Sequence, residues 1–247
     1  MLIVANWKAY IEEFEKAKKL FAVSKKIARV SACTIVLAPS APLLGLLALK
    51  NKSAVAFAAQ DVSVTTGGAQ TGEITASASA KAGASYAIIG HSERRTTGDT
   101  DAVVAEKIRH ALACNLIPIL CIGERERDAE GRYLSFIREE ITSALSGLTP
   151  KERTKVIIAY EPLWAIGKTA VSAIEPNDLV EMVLYIRKVL AELLAGKNSL
   201  HTVVLYGGSV EPGNVLDLAR ASRIDGFLIG RASVDESLFT ALVKQIC

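Results

Sequence analysis

Aromatic residues are scarce in this chain, at 6%, and methionine occurs twice, so any sizeable interior has to be mostly aliphatic. Long apolar runs are missing: no stretch is long enough to span a bilayer, which argues against a membrane protein. Cysteine is sparse and scattered. Cys33, Cys114, Cys121 and Cys247 have no C-x-x-C partner, so their spacing suggests neither a metal knuckle nor a disulfide framework. A reducing cytoplasm is then the expected compartment. Clustered charge is missing too. The formal net charge of +3 comes from Lys and Arg spread along the chain, which fits an anionic small molecule and not nucleic acid. The first residues, Met1 to Ala5, run straight into Asn6, and a signal or transit peptide is not expected there.

Half of the residues are hydrophobic and 22% are charged, the balance of a chain that buries a large core. Short apolar runs alternate with longer amphipathic ones. The runs predict strands at Leu2–Asn6, Thr34–Ala38, Val55–Ala59, Tyr86–Ile89, Ile117–Cys121, Lys155–Ala159, Thr202–Leu205 and Gly226–Ile229. Helical spacing is clearest over Glu12–Arg29, Ala102–Cys114, Tyr133–Leu145 and Asn177–Leu194. Eight strand–helix alternations make an α/β chain, either a doubly wound sheet or a closed (β/α)8 barrel, and 247 residues with this strand count favour the barrel as a single domain over 1–247. Polar, glycine-rich segments follow the strands, where a barrel keeps its chemistry.

Two of those segments carry proton-transfer residues. Ile89-Gly90-His91-Ser92-Glu93-Arg94-Arg95 follows the fourth strand, and Ala159-Tyr160-Glu161-Pro162-Leu163-Trp164 follows the sixth. An imidazole at one strand end and a carboxylate at another can be held over one small substrate, which suits acid/base work on a carbonyl compound. The other two histidines read as structural or solvated, His110 in a helical stretch and His201 before a strand. Position alone lets Glu161 be a solvated loop acid and Lys8 a solvated cation. Alternation along the first strand nevertheless sends Asn6 and Lys8 to one face. Gly207-Gly208-Ser209 and Gly230, after the seventh and eighth strands, sit where barrels hold phosphate. Glycines alone serve tight turns as often.

With Asn6-Trp7-Lys8 at the start and Tyr206-Gly207-Gly208-Ser209 near the end, these segments resemble the triosephosphate isomerase family, in its order and at about its spacing, from Leu2 to about Val234. The resemblance implies a cofactor-free, metal-free TIM-barrel isomerase of glycolysis and gluconeogenesis, which interconverts dihydroxyacetone phosphate and glyceraldehyde 3-phosphate through an enediol(ate). It makes Glu161 the base, His91 the electrophile, and Lys8 and Asn6 the stabilisers of negative charge. Gly167, Ser209 and Gly230 would grip the phosphate. Glu93, Tyr206 and Cys121 take supporting places, Cys121 as packing behind the glutamate. The polar loop from Gln60 to Glu73 would reach a partner subunit in a homodimer, where Thr71 buttresses Asn6 and His91 and Glu73 pairs with Arg94.

Two stretches depart from the family. Ile166-Gly167 passes directly into Lys168-Thr169-Ala170, so the tip of the loop that closes over substrate looks about two residues shorter. Arg231 stands where a second small residue is usual, and would reach the phosphate or the lid. These departures leave two rival readings: an isomerase of another sugar phosphate, and a catalytically idle barrel kept for interaction.

Overall fold

The computed structural model of the chain describes residues 1–165, 174–194 and 202–247. The strands are β1 (Leu2–Asn6), β2 (Thr34–Ala38), β3 (Ala56–Ala59), β4 (Tyr86–Ile89), β5 (Ile117–Ile122), β6 (Ile157–Tyr160), β7 (Val204–Tyr206) and β8 (Gly226–Ile229). All pair in parallel with their sequence neighbours, and β1 pairs with both β2 and β8, so the sheet closes into an eight-stranded barrel. Around it lie α1 (Phe14–Val30), α2 (Ala41–Ala48), α3 (Ala76–Lys81), α4 (Ser92–Thr96), α5 (Asp101–Ala113), α6 (Arg132–Ala144), α7 (Pro150–Arg153), α8 (Pro176–Leu193), α9 (Val215–Ser222) and α10 (Glu236–Ile246). No described helix is long and apolar enough to cross a membrane.

Strand periodicity of two divides the apolar residues into two cores. Val4, Val36, Ile88, Ile119, Leu205 and Leu228 fill the barrel interior. Their neighbours Ile3, Ala5, Ile35, Leu37, Leu120 and Ile229 face outward and pack under the helices. Both faces of the sheet are thus covered, which is why the strands read as apolar almost throughout. The inward parity runs from Val4 to Asn6, the last residue of β1, and by count on to Lys8, and from Ala159 to Glu161 just after β6.

The predicted strands are displaced where a turn or side chain takes the backbone first. β6 begins at Ile157, not Lys155, because the amides of Lys155 and Val156 donate to Glu152 and Arg153 at the end of α7. β7 begins at Val204, whose N–H donates to the Asp225 carboxylate. A larger correction concerns cysteine. Cys33 and Cys247 form a disulfide with Cα atoms 5.6 Å apart, although 214 residues separate them in sequence. Barrel closure brings the end of α10 beside the chain entering β2, a juxtaposition that local cysteine spacing could not announce. Cys114 and Cys121 are free thiols.

Candidate active site

The C-terminal ends of β1, β4 and β6 converge at the barrel mouth. His91 caps the N-terminus of α4: its Nδ1 accepts the Glu93 N–H at 3.2 Å. An accepting Nδ1 carries no proton, so the remaining ring proton sits on Nε2. That Nε2 lies 3.5 Å from Oε1 of Glu161, and both side chains are buried, at 8% and 3% exposure. Glu161 is fixed by its own N–H, which donates to the Ile122 carbonyl at 2.8 Å. Around it there is little slack. A Cβ on Gly207 would stand 2.7 Å from Glu161 Cγ, and one on Gly123 would stand 1.8 Å from the Glu161 carbonyl oxygen. Cys121 lies behind the carboxylate; burial first, and then the adjacent Glu161, push its thiol well above the ordinary range. It therefore packs and does not attack.

Lys8 brings positive charge to the same mouth. Its φ of +44° lies in the left-handed region, which costs a non-glycine residue about 1 kcal/mol or more. Asn6 Oδ1 accepts the Lys8 N–H at 3.0 Å, and Gln60 Nε2 donates to the Lys8 carbonyl at 2.8 Å and to the Ala38 carbonyl at 2.9 Å. Lys8 Nζ pairs with Glu93 Oε1 at 2.7 Å. Partial burial alone would raise the Glu93 carboxyl, but the Lys8 ammonium outweighs it and holds the group below the usual range.

The glycine-bearing loops close the remaining side. Gly230 adjoins Lys8, whose Cε would lie 3.6 Å from a Cβ placed there. Ser209 Oγ donates to the Ala165 carbonyl at 2.8 Å, tying the loop after β7 to the chain after β6. Tyr206 is fully buried, and burial pushes its phenol up. Arg231 is spoken for: its guanidinium pairs with Glu211 at 2.9 Å on the exposed rim. Thr71 and Glu73 are exposed on the loop between β3 and α3, while Arg94 pairs with Asp61 at 3.0 Å within this chain. Gly167 and His201 lie outside the described residues.

Sequence reading passed over Gln60 as a positioning side chain and Glu124 as a hub. Glu124 is 1% exposed, and its Oε1 accepts from the Tyr160 hydroxyl at 2.7 Å and Trp164 Nε1 at 2.9 Å. The available signal was a carboxylate set directly behind Gly123 at the end of β5.

A buried carboxylate facing an imidazole, with one ammonium and small-residue loops across the same mouth, defines an acid/base enzyme on a (β/α)8 barrel. The chain belongs to the triosephosphate isomerase family: that family's model matches residues 1–246. It is 38% identical over 248 residues to the triosephosphate isomerase of Endomicrobium trichonymphae, covering 98% of this chain and 97% of that protein. To the triosephosphate isomerase of Thermus thermophilus it is 37% identical over 247 residues, 99% and 98% of the two chains. A crystal structure of triosephosphate isomerase from Bartonella henselae superposes with a TM-score of 0.85 at 29% identity, covering 99% of this chain and 98% of that one.

Proposed function

We propose that this protein interconverts dihydroxyacetone phosphate and D-glyceraldehyde 3-phosphate, a step shared by glycolysis and gluconeogenesis, with residues 1–247 acting as one domain. The observation that carries the reading is the 3.5 Å approach of His91 Nε2 to Glu161 Oε1 at the barrel mouth. Glu161 takes a proton from the carbon beside the carbonyl while the electron pair moves into a carbon–carbon double bond. His91 Nε2–H donates to the carbonyl oxygen, giving an enediol(ate). Glu161 returns its proton to the neighbouring carbon, and the two oxygens exchange roles. Lys8 and Asn6 offset the charge that develops on oxygen, in a site shielded enough for fixed donors to count. Ser209 and Gly230 hold the phosphate from loops after β7 and β8, the usual place on such barrels.

Glu161→Gln keeps size and hydrogen bonding but removes the base. A coupled assay with glyceraldehyde 3-phosphate is expected to lose roughly 10²- to 10⁴-fold in kcat in this variant. An inactive native protein would favour the idle-barrel reading, and a variant as fast as the native would deny Glu161 its role.

A homodimer is part of the same reading. Ser63 and Ile74 pinch the loop after β3 at its base through two hydrogen bonds of 2.9 Å, leaving an exposed tip that carries Thr71 and Glu73. A cavity of about 570 Å3 beside it is lined by Asn6, Lys8, Glu93 and Arg94, where a second copy's tip could insert. Activity should then fall on dilution together with the sedimenting mass, whereas a fully active monomer would refute the dimer.

A further inference from the structure

Glu161 is flanked on both sides by residues bound to one buried carboxylate. Glu124 Oε1 accepts from Tyr160, which precedes Glu161, and from Trp164, which follows it. Its backbone carbonyl also accepts the Leu163 N–H at 2.9 Å. A carboxylate buried to this degree needs a counter-charge. One guanidinium supplies it: Arg127 Nε donates to Glu124 Oε1 at 3.3 Å and Nη2 to the Tyr160 oxygen at 3.4 Å. Its Cζ lies over the rings of Trp164, 5.1 Å from the centroid, and Tyr133, at 5.4 Å. On its far side Nη1 meets Asp178, in the first turn of α8, at 3.4 Å. A flat, delocalised cation with donors on two edges can satisfy all of these contacts together; an ammonium cannot.

We propose that Arg127 is a positioning residue of the isomerase site: it neutralises Glu124 and clamps Tyr160 and Trp164, and through them sets where Glu161 stands between His91 and the substrate carbon. By reaching Asp178 it also fixes α8 relative to Trp164, the two described elements on either side of residues 166–173. The effect belongs more to the chemical step than to phosphate binding: no described hydrogen bond or ion pair joins Lys8 or Gly230 to the cluster, and Ser209 reaches the Ala165 carbonyl beside Trp164 through one bond of 2.8 Å.

The test is Arg127→Met, which keeps the bulk of the side chain and removes its charge. Its kcat is expected to fall about tenfold or more, since small displacements of a reacting group are costly. The inhibition constant of inorganic phosphate should stay within about twofold of native. Glu124→Gln on the Arg127→Met background removes the charge that needed balancing, and should recover most of the loss. Arg127→Lys, charged but without the planar fork, should fall between native and Arg127→Met. An unaltered kcat in Arg127→Met overturns the assignment, and so does a loss that Glu124→Gln leaves in place. If Arg127→Met does not fold, the double variant decides: kcat within about fivefold of Glu124→Gln alone supports the clamp, and anything lower overturns it. The inference rests on the isomerase reading, yet the two fail separately. An inactive native protein defeats that reading, whereas an active native protein with an unimpaired Arg127→Met defeats only the clamp.

Discussion

Lys8 holds a left-handed backbone at the mouth, and two neutral side chains, Asn6 and Gln60, bond to it. Gln60 spans the Lys8 and Ala38 carbonyls, so Gln60→Leu should release Lys8 toward an ordinary conformation without emptying the core. The expected result is a KM raised several-fold with a smaller change in kcat, read from steady-state kinetics. Gly207→Ala tests the opposite side of the site. Its Cβ would meet Glu161 Cγ at 2.7 Å, so the carboxylate has to move while the barrel keeps its strands. We expect kcat to fall about tenfold or more with little shift of the thermal midpoint; equal kinetics would mean that Glu161 tolerates displacement. The side chains proposed to meet substrate, Asn6, Lys8, His91 and Glu161, stand in the sequence at or just after the ends of apolar runs, where local pattern could single them out. Gln60 and Glu124 were not singled out, because they act through bonds to partners 52, 36 and 40 residues away, and no local pattern encodes those pairings.

At the level of elements, apolar runs and helical spacing were enough to locate all eight strands and four of the longer helices. The largest errors fell at the starts of β6 and β7, where the last turn of α7 and the Asp225 side chain claim amides that composition assigns to the sheet, while β5, β6 and β7 each run one residue further than expected. One element carries a pH dependence. Glu140, on the buried face of α6, accepts the Gly123 N–H at 2.9 Å and faces Arg95 at 3.3 Å, yet burial raises its carboxyl to about 7. Unfolded, that carboxyl titrates near 4.3. The folded state therefore binds the proton more tightly, and stability from this group is full below about pH 4.3, falls as pH rises toward 7, and is flat above. The change is on the order of 3 kcal/mol. Glu140→Gln keeps an acceptor for Gly123 and lacks the titration, so in urea unfolding the variant should gain on the native protein between pH 5 and pH 8. A constant difference over that range would place the ionised Glu140–Arg95 pair in the native state throughout. Helix capping gives a second check at this scale. Asp235 accepts the amides of Ser237 and Leu238 at 2.9 and 2.8 Å at the start of α10, and Asp235→Ala should cost about 1 kcal/mol in the same unfolding measurement.

For the whole molecule the covalent staple matters most. Joining residues 214 apart removes a large share of the unfolded chain's freedom, worth on the order of 5 kcal/mol by loop-closure entropy. Reduction should lower the melting temperature by roughly 10 °C. It should leave kcat unchanged at low temperature, because Cys33 enters β2 at the end of the barrel opposite the mouth. Cys33→Ser should match the reduced protein. Unfolded under non-reducing conditions, the native chain should show two reactive thiols; four would mean that the bond does not form. The bond also divides the enzyme topologically. Residues 33–247 become a closed circle that includes His91 and Glu161, and β1 with α1 hangs from it as a free tail bearing Asn6 and Lys8. The two walls that receive β1, β2 and β8, both belong to the circle. The proposed proton-transfer pair and the cation proposed to answer the substrate's charge are thus carried on different topological objects, and on that reading a complete site exists only while the circle grips its own tail.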